Sequence, residues 1–499
     1  MQPRPMRAKE AFGCGCAAFD ADNDGWQDVL VAAVPHPIFF HNVEGVFKNE
    51  TAASGFGQIK GDWTGCAVAD YDDDGLLDVL LTGFHCLSLC KNAGGLSFRD
   101  ATEQAGLDPS NHNHWGSSAG FMDLDNDNLL DLVVLNLVEF GPDVRQYCEL
   151  KPGVLIGCRP REYVPEKGEI WQNTGQGRFK IVPAENGMAS THGLGLVVAF
   201  SDINLDGKLD FYIGNDGYPS EMLLNLGGMK FENIGESSGL AYDGRGQSPA
   251  SMGGDWGDYD RDGKMDLTIS NFQDAGFVVY HNQGGNQFWD ASVPTGLAEA
   301  TRNRLGFGTK WVDFDNDGWV DIFFVNGHVY DRVAEAVGAS VQFRQPLNLF
   351  HNQRGEAFVD VAPQMDNKVL RPMVGRGSAA IDFDNDGRVD LLGLDFEGPL
   401  MLLHNRSKVD NHWITLDLRG KAPNRFAHGA RLAAKTGNQT WIAEVSPASS
   451  YLSSSDPRIH WGLGDATEIE ELTIRWPSGK TEVLKNIKAD QILQVNQSP

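Results

Sequence analysis

The residues in this chain best placed to do chemistry are aspartates, and they recur at a fixed spacing. The pattern Asp-x-Asp-x-Asp-Gly-x-x-Asp begins at Asp20, Asp70, Asp123, Asp202, Asp258, Asp313 and Asp382. Its oxygen donors are Asp20, Asp22, Asp24 and Asp28; Asp70, Asp72, Asp74 and Asp78; Asp123, Asp125, Asp127 and Asp131. The later copies supply Asp202, Asn204, Asp206 and Asp210; Asp258, Asp260, Asp262 and Asp266; Asp313, Asp315, Asp317 and Asp321; and Asp382, Asp384, Asp386 and Asp390. Donors at positions 1, 3, 5 and 9, with Gly at position 6 for a positive φ and a backbone carbonyl at position 7, can wrap one hard cation. An all-oxygen, highly charged site suits Ca2+ better than Mg2+, which keeps its waters and resists all-protein cages. Like charges crowded into one short turn are costly without a cation. The reading is therefore up to seven calcium sites. An EF-hand would need Glu at position 12, which instead holds Val31, Leu81, Val134, Ile213, Ile269, Phe324 and Gly393, so each loop joins two strands. The third loop has Asn128 in place of Gly, and Asn tolerates the left-handed region.

The elements that must hold these loops follow from the flanks. Each copy lies between short apolar, β-branched or aromatic runs such as GCAAF and VLVAA, or GTKWV and IFFVN. A further apolar run in each unit ends in Asn42, Asn92, Asn173, Asn225, Asn282, Asn352 or Asn405, and a Phe-led stretch such as FRDATEQAGL follows. Four strands in about 50 residues describe a propeller blade. The expected fold is all-β: a seven-bladed β-propeller over residues 1–408, then a second, small β domain over 409–499. The third and sixth units carry insertions, Leu137 to Gly168 and Val329 to Pro346, between their second and third strands, where long loops decorate one face and often carry function.

Composition narrows the partners. With 68 Asp plus Glu against 41 Lys plus Arg the net charge is -27, which excludes the basic face that nucleic acid or an anionic membrane surface requires. No apolar run is long enough for a membrane span, and no secretory h-region follows Met1. The 58 Gly fit an all-β chain with many tight turns. Setting aside the 27 motif aspartates leaves 41 acidic residues against 41 basic ones, so the metal loops hold the whole acidic excess.

These loops, with their strands, resemble the FG-GAP or VCBS-type repeats of integrin-like propellers. The segments NHWITLDLRG, NRFAHGARLAAKTG and YLSSSDPRIHWGLGDATEIEELTIRWPSGK resemble the ASPIC/UnbV domain. Together they are similar to the cartilage acidic protein 1 family and its bacterial relatives. That resemblance implies a secreted, calcium-binding propeller, extracellular or periplasmic, without a settled activity. Relatives carry a signal peptide and a strand before the first loop. Met1 to Ala11 is too short for both, so six Phe-led strands should serve seven blades, and a late start is the expectation.

The remaining candidates lie outside the loops. Cys148 and Cys158 should form a disulfide stapling the third-unit insertion. Cys86 and Cys90 are a weaker candidate pair, Cys16 and Cys66 read as buried thiols, and a zinc site at Cys14 and Cys16 lacks matching spacing elsewhere. The face opposite the calcium loops should gather His85, His112, His114, His192, His328, Arg302, Arg304, Arg371 and Arg376 with Asp216, Asp274, Asp395 and Glu397. Within it, Asn326-Gly327-His328-Val329-Tyr330 resembles a recurrent family motif, and a Gly turn with a packed Tyr explains it equally. The hydroxyls of Tyr451 to Asp456 suggest sugar or peptide recognition, or simple turn chemistry. The expected function is a calcium-stabilised interaction module, monomeric, binding a protein or glycan. The alternative is an enzyme or biosynthetic accessory protein using the His- and Arg-rich axial face.

Overall fold

The computed structural model describes residues 6–107, 114–365, 370–408 and 410–499. Seven antiparallel meander sheets follow one another in the chain, each built around one Asp loop. The second is representative: Trp63–Ala69, Asp78–Gly83, Cys86–Asn92 and Phe98–Asp100, with Ala69 opposite Asp78 across the loop. The first strands are buried along their whole length, as in Gly116–Met122 and Gly195–Ser201, which is why they read as unbroken small or apolar runs. Fourth strands alternate: Phe98 points inward while Arg99 and Asp100 face solvent. Phe179, Phe231, Phe288 and Phe358 repeat that inward position, and the cores lie between neighbouring sheets.

Each first strand packs against the first strand of the next sheet, and Gly375–Ile381 of the seventh packs against Cys16–Phe19 of the first, closing a ring. Six sheets contain a four-strand meander, and the seventh has three strands: Gly375–Ile381, Asp390–Asp395 and Leu400–Leu403. The described part of the N-terminal segment is not a strand. Ala8–Phe12 is a short helix whose end is held at the ring axis. No helix among the described residues is long and apolar enough to cross a membrane.

The C-terminal segment forms two further sheets around its own core of Ile414, Leu432, Trp441, Trp461, Ile474 and Trp476. It is not a freely hung module, because one of its loops enters the ring. Ala448–Ser449 and Ser453–Ser454 join the first sheet, with Ser454 pairing in parallel with Ala17. Tyr451 and Leu452 at its tip are fully buried. Tyr451 lies 4.8 Å from Phe307 and 5.8 Å from Phe12, centroid to centroid, and its hydroxyl donates to Phe12 O at 2.9 Å. Ser450 Oγ accepts from Thr309 N at 3.0 Å and pairs with Ser378 Oγ at 2.9 Å. Of the hydroxyls that suggested a sugar or peptide site, those of Tyr451, Ser453 and Ser455 are spent inside the protein, and Ser454 Oγ is buried without a partner among the described residues.

The disulfide Cys148–Cys158 is present, with Cα atoms 4.9 Å apart, and closes the hairpin Tyr147–Lys151 and Val154–Gly157 inside the third-unit insertion. Cys86 and Cys90 are free. They sit four residues apart on one extended strand, about 13 Å at 3.3 Å per residue, beyond the reach of a disulfide. Cys14 and Cys16 are deep in the structure, and burial pushes both thiols up to about 12.

Candidate functional site

The Asp loops share one hydrogen-bond plan. The position 1 carboxylate accepts from the backbone of positions 5 and 6: Asp24 N and Gly25 N reach Asp20 at 3.1 and 2.9 Å, and five further loops repeat both bonds. In the sixth loop Asp313 accepts from Gly318 N at 2.8 Å. The position 5 carboxylate accepts from the position 7 N–H in all seven, as Trp26 N to Asp24 at 2.8 Å. The position 9 carboxylate ties three strands. Asp131 accepts from Leu124 N at 2.9 Å and from Asn173 N at 2.8 Å, and every loop repeats this pair.

Position 3 divides: Asn204, Asp260 and Asp315 accept from the position 5 N–H at 3.0, 3.2 and 3.3 Å, whereas the other four loops each leave one position 3 oxygen over. Oδ1 of Asp22, Asp72, Asp125 and Asp384, and Oδ1 of Asp313 at position 1, are buried without a hydrogen-bond partner among the described residues. The loops are also electrostatically unbalanced. Burial first, then neighbouring carboxylates, raise Asp70 and Asp258 to about 7 and Asp131, Asp210 and Asp390 to about 8. A bound cation would reverse that cost by favouring the ionised forms. The backbone holds a concave shape with two left-handed residues per loop. In the third loop these are Asn126 at φ 63° and Asn128 at φ 69°, so Asn128 does the work of Gly.

Two features of these loops were not read from the sequence. First, the Asn that ends each third strand is a clasp between sheets. Its Nδ2 donates to the position 2 carbonyl of the preceding loop: Asn92 to Ala21 at 2.7 Å, Asn173 to Tyr71 at 2.9 Å, and onward around the ring to Asn405 with Phe314 at 2.7 Å. Asn42 closes the circle on Phe383 O at 2.8 Å. Their recurrence was the available signal. Second, the residue before that Asn reaches the loop. Four units place an imidazole there: His41 at 2.9 Å from Asp28, His281 at 3.2 Å from Asp260, His351 at 3.3 Å from Asp315 and His404 at 3.1 Å from Asp384. These imidazoles and carboxylates form compact groups able to hold an ion. The second loop differs, because the ammonium of Lys91 lies on Asp72 and 2.9 Å from Asp74. The fourth also differs, with Asn204 in the set and Arg475 Nη1 3.2 Å from Asp202.

Arg475 comes from the C-terminal segment, which covers the Asp-loop face. Arg425 meets Asp73 at 2.7 Å, Arg431 donates to Gly263 O at 3.1 Å, Arg458 donates to Asp382 O at 3.2 Å and to Asn385 Oδ1 at 2.9 Å, and His460 Nε2 pairs with Asn316 Oδ1 at 2.8 Å. Two of these contacts are ion pairs with loop carboxylates, Asp202 and Asp73, and the others reach loop carbonyls and amide oxygens.

The opposite face does not assemble the cluster expected of it. His114 pairs with Glu166 at 2.8 Å and His192 with Glu221 at 2.7 Å, each in its own sheet. His85 stacks on Phe84 at 4.1 Å, Arg302 pairs with Glu299, and Arg371 and Arg344 share Asp395 while Arg344 also takes Glu397 at 3.0 Å. Arg304 is half-buried near Asp360, and Asp274 bonds Arg302 O only through its backbone N–H. Arg376 is fully buried, donates to Ala11 and Phe12 carbonyls at 2.9 and 3.1 Å, and lies 4.1 Å over the Phe307 ring, so it is an axial strut. His328 is buried and held neutral, with burial pulling it down to about 3, and its Nδ1 accepts from Tyr330 N at 3.0 Å. His112 lies outside the described residues. Of the expected set, Asp216 alone lines an axial cavity, where burial pushes it up to about 7 against the pull of Arg161.

Comparison with known proteins agrees with this plan. The FG-GAP-like repeat family matches residues 20–81, 70–134, 202–269 and 258–324, and the ASPIC and UnbV family matches residues 420–499. Cartilage acidic protein 1 of Xenopus tropicalis is 27% identical over 314 residues, 60% of this chain and 44% of that protein. The Homo sapiens protein is 26% identical over 361 residues, 70% of this chain and 49% of that protein. The chain thus spans about half the length of the curated relatives it matches. Among solved structures, an Agrocybe aegerita lectin that recognises non-reducing terminal N-acetylglucosamine superposes with a TM-score of 0.42 at 16% identity, covering 77% of this chain and 86% of the lectin. The structure of YCF48 bound to D1 peptide gives 0.45 at 9% identity, covering 79% and 92%.

Proposed function

This chain is an FG-GAP-repeat β-propeller with a C-terminal ASPIC and UnbV domain, related to cartilage acidic protein 1, and from that premise we propose that it is a calcium-stabilised extracellular or periplasmic interaction module. The observation that carries the metal reading is the set of buried position 3 oxygens with no partner, on Asp22, Asp72, Asp125 and Asp384. Buried polar atoms are normally paired, and four such atoms at one register position share one explanation, a cation bound in the loop. Up to seven Ca2+ would sit between the first and second strands of each sheet. The second and fourth loops would hold theirs least well, because Lys91 and Arg475 already bring positive charge to them. We assign 1–408 to the propeller and 409–499 to the accessory domain, which caps the metal face. A protein or glycan ligand would then meet the opposite face, built from the two insertions. The disulfide supports an oxidising compartment.

Thermal unfolding in calcium and in EDTA tests the metal reading. A ligand bound to the native state alone must raise stability, so the midpoint should rise with calcium over the millimolar range and fall on chelation. An unchanged midpoint in EDTA would remove the proposal.

A further inference from the structure

The cavity on the axial face is separate from the metal loops, and its chemistry specifies a ligand class. It measures about 310 Å3, at the lower end of the roughly 300–1,000 Å3 that small-molecule sites occupy. Its walls are mainly apolar and include the rings of Phe12, Trp115, Phe307, Tyr330 and Tyr451, so four separate parts of the fold meet there: the N-terminal helix, the inner strands, the sixth-unit insertion and the C-terminal loop. The third-unit insertion forms its rim through Cys158, and the disulfide to Cys148 holds that rim in place.

Charge at the mouth is not balanced. The lining contains two guanidiniums, Arg159 and Arg161, and one carboxylate, Asp216. Both arginines are exposed. Arg161 leans over the Gly217 backbone, where a Cβ would meet its Nε at 2.9 Å, and lies 5.5 Å from the Tyr218 ring, without an ion pair to Asp216. Arg159 stands beside the Tyr330 hydroxyl. Deeper, the indole N–H of Trp115, a residue 1% exposed, finds no acceptor among the described residues.

We infer that this cavity binds a small apolar monocarboxylate, its hydrocarbon body against the aromatic walls and its anionic end between Arg159 and Arg161. The mostly apolar lining offers few hydrogen-bond partners, so a polyhydroxylated ligand would leave hydroxyls unpaired. The single excess positive charge selects for one negative charge, and a guanidinium is the side chain best shaped to take a carboxylate in two bonds.

Calorimetric titration of the full chain at saturating calcium with decanoate and with decan-1-ol tests the assignment independently of the metal loops. Decanoate should bind saturably at one site and more tightly than the alcohol. The double variant Arg159→Ala/Arg161→Ala should lose at least tenfold in decanoate affinity and little in that of the alcohol. Asp216→Asn should tighten decanoate, because it removes the one negative charge in the lining. Ala275→Trp, which fills the mouth from a half-buried loop position, should abolish both without moving the melting temperature. Absence of saturable decanoate binding would overturn the inference, as would binding that Ala275→Trp leaves intact. Weaker decanoate binding in Asp216→Asn would overturn the ligand class, because Asp216 would then be serving a donor on the ligand.

Discussion

Individual side chains in this protein act chiefly by satisfying backbone. Asn225 donates to Leu124 O at 2.8 Å and Leu209 O at 3.0 Å, both out of solvent, and accepts from Gly227 N at 2.8 Å at a part-buried position. Asn225→Ala strands those groups, and at roughly 1 kcal/mol or more for each buried group left unpaired it should cost about 2 kcal/mol in denaturant unfolding. Lys91 offers the reverse test. Removing its ammonium from Asp72 and Asp74 frees the second loop, so Lys91→Met should bind one more equivalent of calcium after equilibrium dialysis than the parent chain. His428 sets a pH response. Burial pulls its imidazole down to about 4 from about 6.5 in the unfolded chain. Between those values the unfolded state binds more protons, so the stability His428 permits is complete above about pH 6.5 and drains away as the pH falls toward 4, by on the order of 3 kcal/mol. His428→Leu should therefore show a shallower drop in melting temperature from pH 7 to pH 5 than the parent.

Among the elements, the strands and their connections were legible in sequence and the docking of the C-terminal sheets was not. Periodic apolar runs around each Asp loop are local signals, and the strands Asp78–Gly83 and Asp321–Asn326 fall where those runs place them. The clasping role of the closing asparagines needs the neighbouring sheet, because the acceptor of Asn352 is Tyr259 O, 93 residues away in the chain. The cap over the Asp-loop face likewise depends on pairs such as Arg475 with Asp202 and Arg425 with Asp73, which no local pattern announces. These pairs predict coupling between metal and cap. If calcium orders the loops, chelation leaves their carboxylates repelling one another, which shifts the oxygens that the cap's arginines hold and loosens the cap. Limited proteolysis in EDTA should then cut between residues 405 and 430 faster than in calcium, and Arg458→Ala should raise that rate even with calcium present. Equal cutting under all these conditions would mean that the cap is held by its inserted loop alone.

For the whole molecule, the inserted loop matters most. Tyr451 and Leu452 fill the ring axis, touch the N-terminal helix through Phe12 and bond inner strands of several sheets. Ring and cap therefore share a core, and calorimetry should record one cooperative transition for the full chain rather than two. Sequence by itself determined the repeated unit, the number of Asp loops, the stapled insertion and the presence of a second β segment, because each rests on residues within a few positions of one another. Tertiary structure decided which expected residues converge. It scattered the axial histidines among local partners such as Glu166 and Glu221, buried Arg376 and Tyr451 as struts, and set Arg159, Arg161 and Asp216 around one aromatic cavity. The physical reason is range. An Asp loop is closed by nine consecutive residues, whereas a cavity at a ring axis is made where strands and loops distant in sequence meet, and only the packing of the completed ring fixes which side chains face it.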